Sequence, residues 1–172
     1  MDLCNSSKIG FKMIIRTATL NDLDEIHNVE SVCFNENEAA SKKEFEERLK
    51  YYPNHFWLLF EGEKLISFID GFVTNQKDLS DEMYENASLH DESGDWQMIF
   101  GVNTLPEYRK QGNASKLIKQ VIDCARVENR SGVVLTCKEN LISYYSKFGF
   151  IDEGISESQH GGVSWHQMRL IF

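Results

Sequence analysis

No stretch of this 172-residue chain stays apolar for the roughly 18 residues that a membrane span needs, and the first dozen residues lack a signal peptide's apolar core. No Cys-x-x-Cys pair occurs. Cys4, Cys33, Cys124 and Cys137 stand far apart and read as reduced, buried thiols. His27, His55, His90, His160 and His166 show no ligand spacing, so no metal is implied. Positive charge is scarce: 18 Lys and Arg face 27 Asp and Glu, a formal net charge of −9 that excludes a general nucleic-acid binder. Internal repeats and linkers are missing too. With 41% hydrophobic and 26% charged residues, the composition fits one globular domain and excludes a disordered chain. The cytoplasm is the default location, with neither nucleic acid nor membrane expected as a partner.

What is present is an alternation of extended and helical patterns. Residues 1–12 have no periodicity and read as a loose leader, with the domain running over residues 13–172. Residues 13–18 predict a strand. Thr19 or Asn21, ahead of Asp22 and Asp24, starts a helix on which Leu23, Ile26, Val29 and Val32 recur at spacing three. Ser41 with Glu44 matches a capping box and predicts a helix over Lys42–Tyr51, stopped by Pro53. Residues 56–60 and 65–74 read as a hairpin. Residues 96–102 predict a strand that turns at Pro106 into a helix over 113–128, with Leu117, Val121, Cys124 and Ala125 inward. A strand over 133–137, a short helix over 140–147 and two closing strands around Gly154 and Gly161-Gly162 complete a single mixed α/β domain. Residues 75–95 carry seven carboxylates against one lysine. They read as a solvated loop, or as a lid that draws in a protonated amine.

The segment over residues 96–119 is the most informative. A strand and turn lead into Arg109-Lys110-Gln111-Gly112-Asn113-Ala114 at a helix start. Gly112 and Ala114 lack bulk, so backbone N–H groups can approach phosphate oxygens, and the helix dipoles favour negative charge there. Arg109, Lys110, Lys116 and Lys119 occur with no Asp or Glu between positions 109 and 122, a local reversal of sign. The pattern describes a pyrophosphate cradle. Taken alone, it also describes an ordinary helix start with surface lysines.

Arg109-x-x-Gly112-x-Ala114 between strand and helix resembles the acyl-CoA-binding motif of the GNAT superfamily of N-acetyltransferases. Residues 135–150, with Tyr144-Tyr145-Ser146-Lys147-Phe148-Gly149-Phe150, resemble that family's second block, and Ile14-Ile15-Arg16-Thr17-Ala18-Thr19 resembles its opening strand. Within the superfamily, Ser88-Leu89-His90, the strand after Trp96 and residues 135–141 look most like arylalkylamine N-acetyltransferases, and residues 34–41 resemble their substrate-side loop. The resemblance implies a mostly antiparallel sheet with splayed middle strands, flanked by helices, and acetyl-CoA as cosubstrate. It implies that backbone groups of Phe100, Gly101 and Val102 bind the pantetheine arm and thioester. It implies that Lys110, Gln111, Gly112, Asn113, Ala114 and Ser115, with Arg109 ahead of them, hold the phosphates.

Tyr145 matches the tyrosine that family members place near the CoA sulfur, where a phenol of pKa about 10 can protonate a thiolate whose pKa is about 8.5. Tyr144, Phe148 and Phe150 read as core. Gly101 reads either as part of the site or as a bulge or packing position. The base is harder to place, because Trp96 and Met98 stand where arylalkylamine enzymes carry histidines, and neither takes a proton. His90, Asp70, Asp95 and Glu36 are substitutes in principle and are expected at the solvated surface. Phe34, Phe45 and Trp57 line an acceptor pocket or lie in the core. The expected function is acetyl transfer by direct attack of a primary amine, a small arylalkyl- or polyamine. A peptide or protein amine and a non-catalytic CoA sensor are the alternatives. Monomer and homodimer fit equally.

Overall fold

A computed structural model describes residues 10–172; residues 1–9, most of the expected leader and Cys4 with it, lie outside the described residues. The elements are β1 (Met13–Thr17), α1 (Leu23–Cys33), α2 (Lys42–Tyr51), β2 (Phe56–Glu61), β3 (Lys64–Asp70), β4 (Val73–Thr74), α3 (Asp81–Glu85), β5 (Trp96–Ile99), β6 (Gly101–Thr104), α4 (Asn113–Val127), β7 (Gly132–Cys137), α5 (Ile142–Ser146), β8 (Ile151–Ile155) and β9 (His166–Ile171). Helix α2 forms where its capping box predicts, with Ser41 Oγ accepting from Glu44 N–H and the Glu44 carboxylate accepting from Ser41 N–H.

Two sheets, β1-β2-β3-β6 and β4-β5-β7-β9-β8, form one folded surface. The chain crosses between them three times, directly at residues 71–72 and at Phe100, and then from β6 to β7 by way of α4. Phe100 N–H donates to Asp70 O and Met98 N–H to Phe72 O, both at 2.8 Å, which carries the hydrogen bonding across the break. The pairing Asp70↔Gly101 resumes at Val73↔Gln97, so residues 71–72 face residues 98–100 and the second strand holds one extra residue. Such a bulge bends a strand and raises its twist. The strands expected over 65–74 and 96–102 therefore each arrive as two.

Alternation along β2 divides the interior. Phe56, Leu58 and Phe60 join Ile26, Val29, Phe45, Leu49 and Phe68 under α1 and α2. Trp57 and Leu59 join Leu117, Ile118, Val121, Ile122, Leu135 and Met168 under α4. Phe45 and Trp57 are thus core, whereas Phe34 is half-buried at the end of α1. Cys137 is a buried free thiol as expected, while Cys33 and Cys124 are free but only half-buried. Val32, expected on the inner face of α1, is exposed. Strict spacing of three drifts off a 3.6-residue period, so the inner stripe runs through Ile26, Val29, Glu30 and Cys33 instead.

The acidic segment over residues 75–95 is built, not loose. Arg169, buried in β9, holds Asp78 at 2.7 Å and Glu153 at 3.0 Å, and lies over the Trp96 ring. Arg130 bonds the carbonyls of Glu92 and Gly94 and the Glu92 carboxylate. His55, His90 and Glu92 bring ligand-type atoms within 4.8 Å of one another. Their hydrogen bonds tie the segment to the sheet: His90 Nδ1 accepts the Val73 N–H at 3.1 Å, so its proton sits on Nε2, facing Glu92. His90 is therefore a structural residue with a largely buried side chain, in place of the expected surface one.

At the break, a methyl group on Gly71 would overlap the Met98 carbonyl oxygen. Gly71→Ala is expected to cost about 1–3 kcal/mol, read as a lower urea midpoint by circular dichroism. An unchanged midpoint would show that the two strands can spread freely.

Candidate active site

The first part of the site is the start of α4. Lys110 at φ 60° and Gly112 at φ 79° turn the chain so that Gly112 caps the helix. A glycine offers no capping side chain. The N–H groups of Asn113, Ala114 and Ser115 consequently have no partner among the described residues, and the helical bonding begins with Lys116 N–H to Gly112 O. Nothing lies within 4 Å of where a Gly112 Cβ would sit. Asn113 is buried and its Nδ2 donates to Tyr108 O, while Gln111 Nε2 donates to Glu107 O, fixing the loop from both sides. Arg109 Nε donates to Thr104 O at 2.9 Å, and Arg109 and Lys110 are exposed beside the bare N–H groups. A cleft of about 360 Å³ opens here, walled by Arg109, Lys110, Gly112, Asn113, Ala114, Ser115 and Tyr144. The donors, the exposed cations and the room left beside Gly112 fit a diphosphate.

The second part is the gap between β6 and β7. Strand β5 pairs in parallel with β7 over Trp96–Ile99 and Gly132–Leu135. Beyond Phe100, β6 pairs with β3 and β7 with β9, so the two strands part and β6 becomes a sheet edge. An edge strand carries unpaired N–H and C=O groups, and here they belong to the stretch that includes Gly101 and Val102. Tyr145 is buried against Phe150 and Tyr144, at ring centroid distances of 6.1 and 5.2 Å. Its hydroxyl has no hydrogen-bond partner among the described residues, and burial pushes its pKa above the ordinary phenol value, so it stays protonated. Tyr144, read as core, bonds Ser115 Oγ through its hydroxyl at 3.1 Å and walls the α4 cleft.

The third part lies on the α1–α2 side of the bulge, a cleft of about 300 Å³. Its lining carries Glu30, Glu38, Glu44, Asp70, Asp81 and Glu85 against Arg48 and His160. Asp70, expected at the surface, is buried and bonded to Arg48 Nη1 at 2.8 Å. Glu36 and Asp95 are exposed, as expected. Tyr84, Phe100 and His160 supply the aromatic walls, with Tyr84 stacked on His160 at 4.9 Å and 10° and set 5.0 Å from Phe100. The loop between β8 and β9 closes one side: His160 Nε2 lies 2.9 Å from Glu38 O, and Lys138 Nζ holds the Glu38 carboxylate at 2.9 Å.

Four buried polar atoms in and beside this cleft have no partner among the described residues: Glu30 Oε2, Arg48 Nε, and Asn103 Oδ1 and Nδ2. A methyl on Gly101 would lie 3.2 Å from Asn103 Nδ2, 3.3 Å from Asp70 Oδ1 and 3.9 Å from Glu30 Oε2. Three polar side chains therefore converge on the one β6 residue that has no side chain of its own. Burial first, and then the Asp70 charge, push the Glu30 carboxyl up to about 7. Glu30 is a residue that the sequence reading overlooked. The available signal was a charged residue four positions after Ile26, on the apolar stripe of α1.

A model of the acetyltransferase (GNAT) family matches residues 22–150. The chain belongs to the GNAT family of acetyltransferases. No curated protein matches it. The loading GNATL domain of CurA from Lyngbya majuscula superposes with a TM-score of 0.80 at 17% identity, over 93% of this chain and 98% of that one. The GphF GNAT-like decarboxylase, in complex with isobutyryl-CoA, gives 0.79 at 20% identity, over 92% and 98%. The ribosomal-protein-S18-alanine N-acetyltransferase of Escherichia coli gives 0.70 at 18% identity, over 93% and 94%. These likenesses establish the GNAT fold. The family match establishes an acyltransferase.

Because the folded-state pKa of Glu30 lies above its unfolded value, the folded state holds the proton more tightly and stability falls as pH rises from about 4.5 to about 7. Glu30→Gln removes that dependence while its side-chain oxygen still accepts the Ala40 N–H. The variant is expected to gain about 2 kcal/mol on wild type between pH 5 and pH 8 in urea unfolding. An equal difference at both pH values would show that Glu30 titrates normally.

Proposed function

We propose that this chain transfers acetyl from acetyl-CoA to the primary amine of a small cationic acceptor, with a polyamine favoured over an arylalkylamine. The supporting observation is the acidic cleft that ends in unpartnered polar atoms at Gly101. Six carboxylates against one arginine and one histidine favour positive charge at more than one point of an acceptor. A volume of about 300 Å³ suits a small molecule. The comparisons lend no support to an arylalkylamine enzyme as such, and the aromatic walls of the cleft are three residues outside the expected pocket.

In this reading, the bare N–H groups of Asn113, Ala114 and Ser115, together with Arg109, Lys110, Gln111 and Gly112, bind the CoA phosphates. The pantetheine arm and thioester lie along the free edge at Phe100, Gly101 and Val102, as an added strand would. The edge N–H groups stabilise negative charge on the thioester oxygen as the amine attacks. Tyr145, kept protonated by burial, gives its proton to the leaving thiolate.

Closure of the cleft by the contacts of Glu38 with His160 and Lys138 disfavours an extended peptide, the acceptor of the E. coli ribosomal-protein enzyme being a protein alanine. A decarboxylase acts on a carboxylate, which this lining repels. A CoA sensor without turnover leaves the unpartnered Glu30 without a use.

The test is amine-dependent thiol release from acetyl-CoA, with spermidine, 2-phenylethylamine and an alanine-initiated peptide as acceptors. Spermidine is expected to be used best, with a KM that climbs as salt is raised. Tight CoA binding with no amine-dependent release would establish the sensor. Tyr145→Phe is expected to lower kcat by about 10²-fold with CoA affinity unchanged, and full activity in that variant would remove the acid role.

A further inference from the structure

An alkylamine resembles lysine, pKa about 10.4, so near neutral pH only about one molecule in a thousand carries the lone pair that attacks. The acidic cleft deepens this difficulty, since it favours the charged form. A group that takes the ammonium proton must therefore stand beside the attacking nitrogen. Trp96 and Met98 are unable to do so, and His90 is committed to Val73 and Glu92.

Among the carboxylates of the cleft, most are occupied. Asp70 holds Arg48, Glu38 holds Lys138, Glu44 accepts the Ser41 N–H, and Asp81 holds Ser158 Oγ and the Gln159 N–H. Glu85 is exposed at the rim. Glu30 differs from all of them. It is 6% exposed, its Oε1 accepts the Ala40 N–H at 3.1 Å, and its Oε2 is buried with no partner while facing Gly101. A buried, unpaired carboxylate oxygen costs stability unless a donor reaches it, and a substrate ammonium group is such a donor.

Resting on the reading of the chain as an amine acetyltransferase, we propose that Glu30 is its catalytic base, with Oε2 binding the acceptor's ammonium group beside Gly101. One ammonium proton passes to Glu30. The freed nitrogen bonds to the acetyl carbonyl carbon, the carbon–sulfur bond breaks, and the thiolate is protonated by Tyr145. The new amide sheds a second proton, which restores Tyr145 through solvent, and Glu30 releases its proton. The balance is one amide, one thiol and one proton per turnover. Asn103, whose amide also lacks a partner, lies beside both groups and is placed to hold the same nitrogen or a water next to it.

Around Glu30 stand Asp70 on β3, Arg48 on α2, Glu38 and His160 across the cleft, Tyr84 on α3, and Cys33 with Arg109 at the far end of α1. Burial and then Asp70 raise its proton affinity, and the Ala40 N–H, Arg48 and Asn103 oppose them. The result is a base suited to neutral pH.

The experiment compares wild type, Glu30→Gln and His160→Gln, with acetyl-CoA and spermidine, over pH 6 to 9. CoA binding by calorimetry is the folding control. Expected are a rising limb of kcat/KM near pH 7 in wild type and in His160→Gln, and a loss of about 10²-fold or more in kcat for Glu30→Gln. The limb should vanish in Glu30→Gln while CoA binds within twofold of wild type. Carbon-13 NMR of the Glu30 carboxyl in the ligand-free protein is expected to titrate near the same pH. Retention of activity within threefold in Glu30→Gln, loss of the limb in His160→Gln instead, or an ordinary carboxyl titration would each overturn the proposal and leave the acetyltransferase reading standing. Wild type inert toward every amine would sink both.

Discussion

Between Gln97 and Gly101 the chain must fit three residues, 98–100, opposite the two residues 71–72, and the rest of the site follows from that mismatch. The bulge turns β6 away from β7. The parting leaves a free backbone edge on one side and brings Gly101 against Glu30, Asp70 and Asn103 on the other. Gly71 permits it, since only a residue without a Cβ lets the Met98 carbonyl come so near. One local irregularity thus supplies both the free backbone edge of β6 and the floor of the acidic cleft.

The cost of the site falls on polar groups, and the rest of the domain offsets it. Each buried donor or acceptor without a partner costs about 1–3 kcal/mol, and four such atoms lie in and beside the acidic cleft. Against this stand two apolar clusters on opposite faces of the sheet. The ion pairs of Arg130 and Arg169 also hold the acidic segment in place as a wall. In the sequence that segment reads as a solvated loop or a lid because its carboxylates outnumber its cations locally. Its cations come from β9 and from the turn before β7, far away in sequence.

Local signals in the sequence carried most of the secondary structure. The Ser41–Glu44 capping box, Gly112 at the start of α4 and the turn between β2 and β3 each depend on neighbours within a few residues, and each appears where expected. The family motif was legible for the same reason, because a helix start with small residues and adjacent cations is a local arrangement. The acceptor side was not legible. Glu30 reads as one more acidic residue on a charged helix, His90 and Asp70 read as surface, and Phe45 and Trp57 are as compatible with a pocket as with the core.

By itself the sequence determined most of the helices and strands, the α4 start and the mixed α/β class, since these rest on periodicity and short-range hydrogen bonding. Helix α3 and the splitting of two strands between the sheets came from tertiary packing. Only the tertiary structure decided which carboxylates are paired and which one is left over. Pairing joins Asp70 to Arg48, Glu38 to Lys138 and Asp78 to Arg169, across separations in sequence that no local pattern records. Burial and the absence of a partner give a carboxylate its chemistry, and both are properties of the assembled chain.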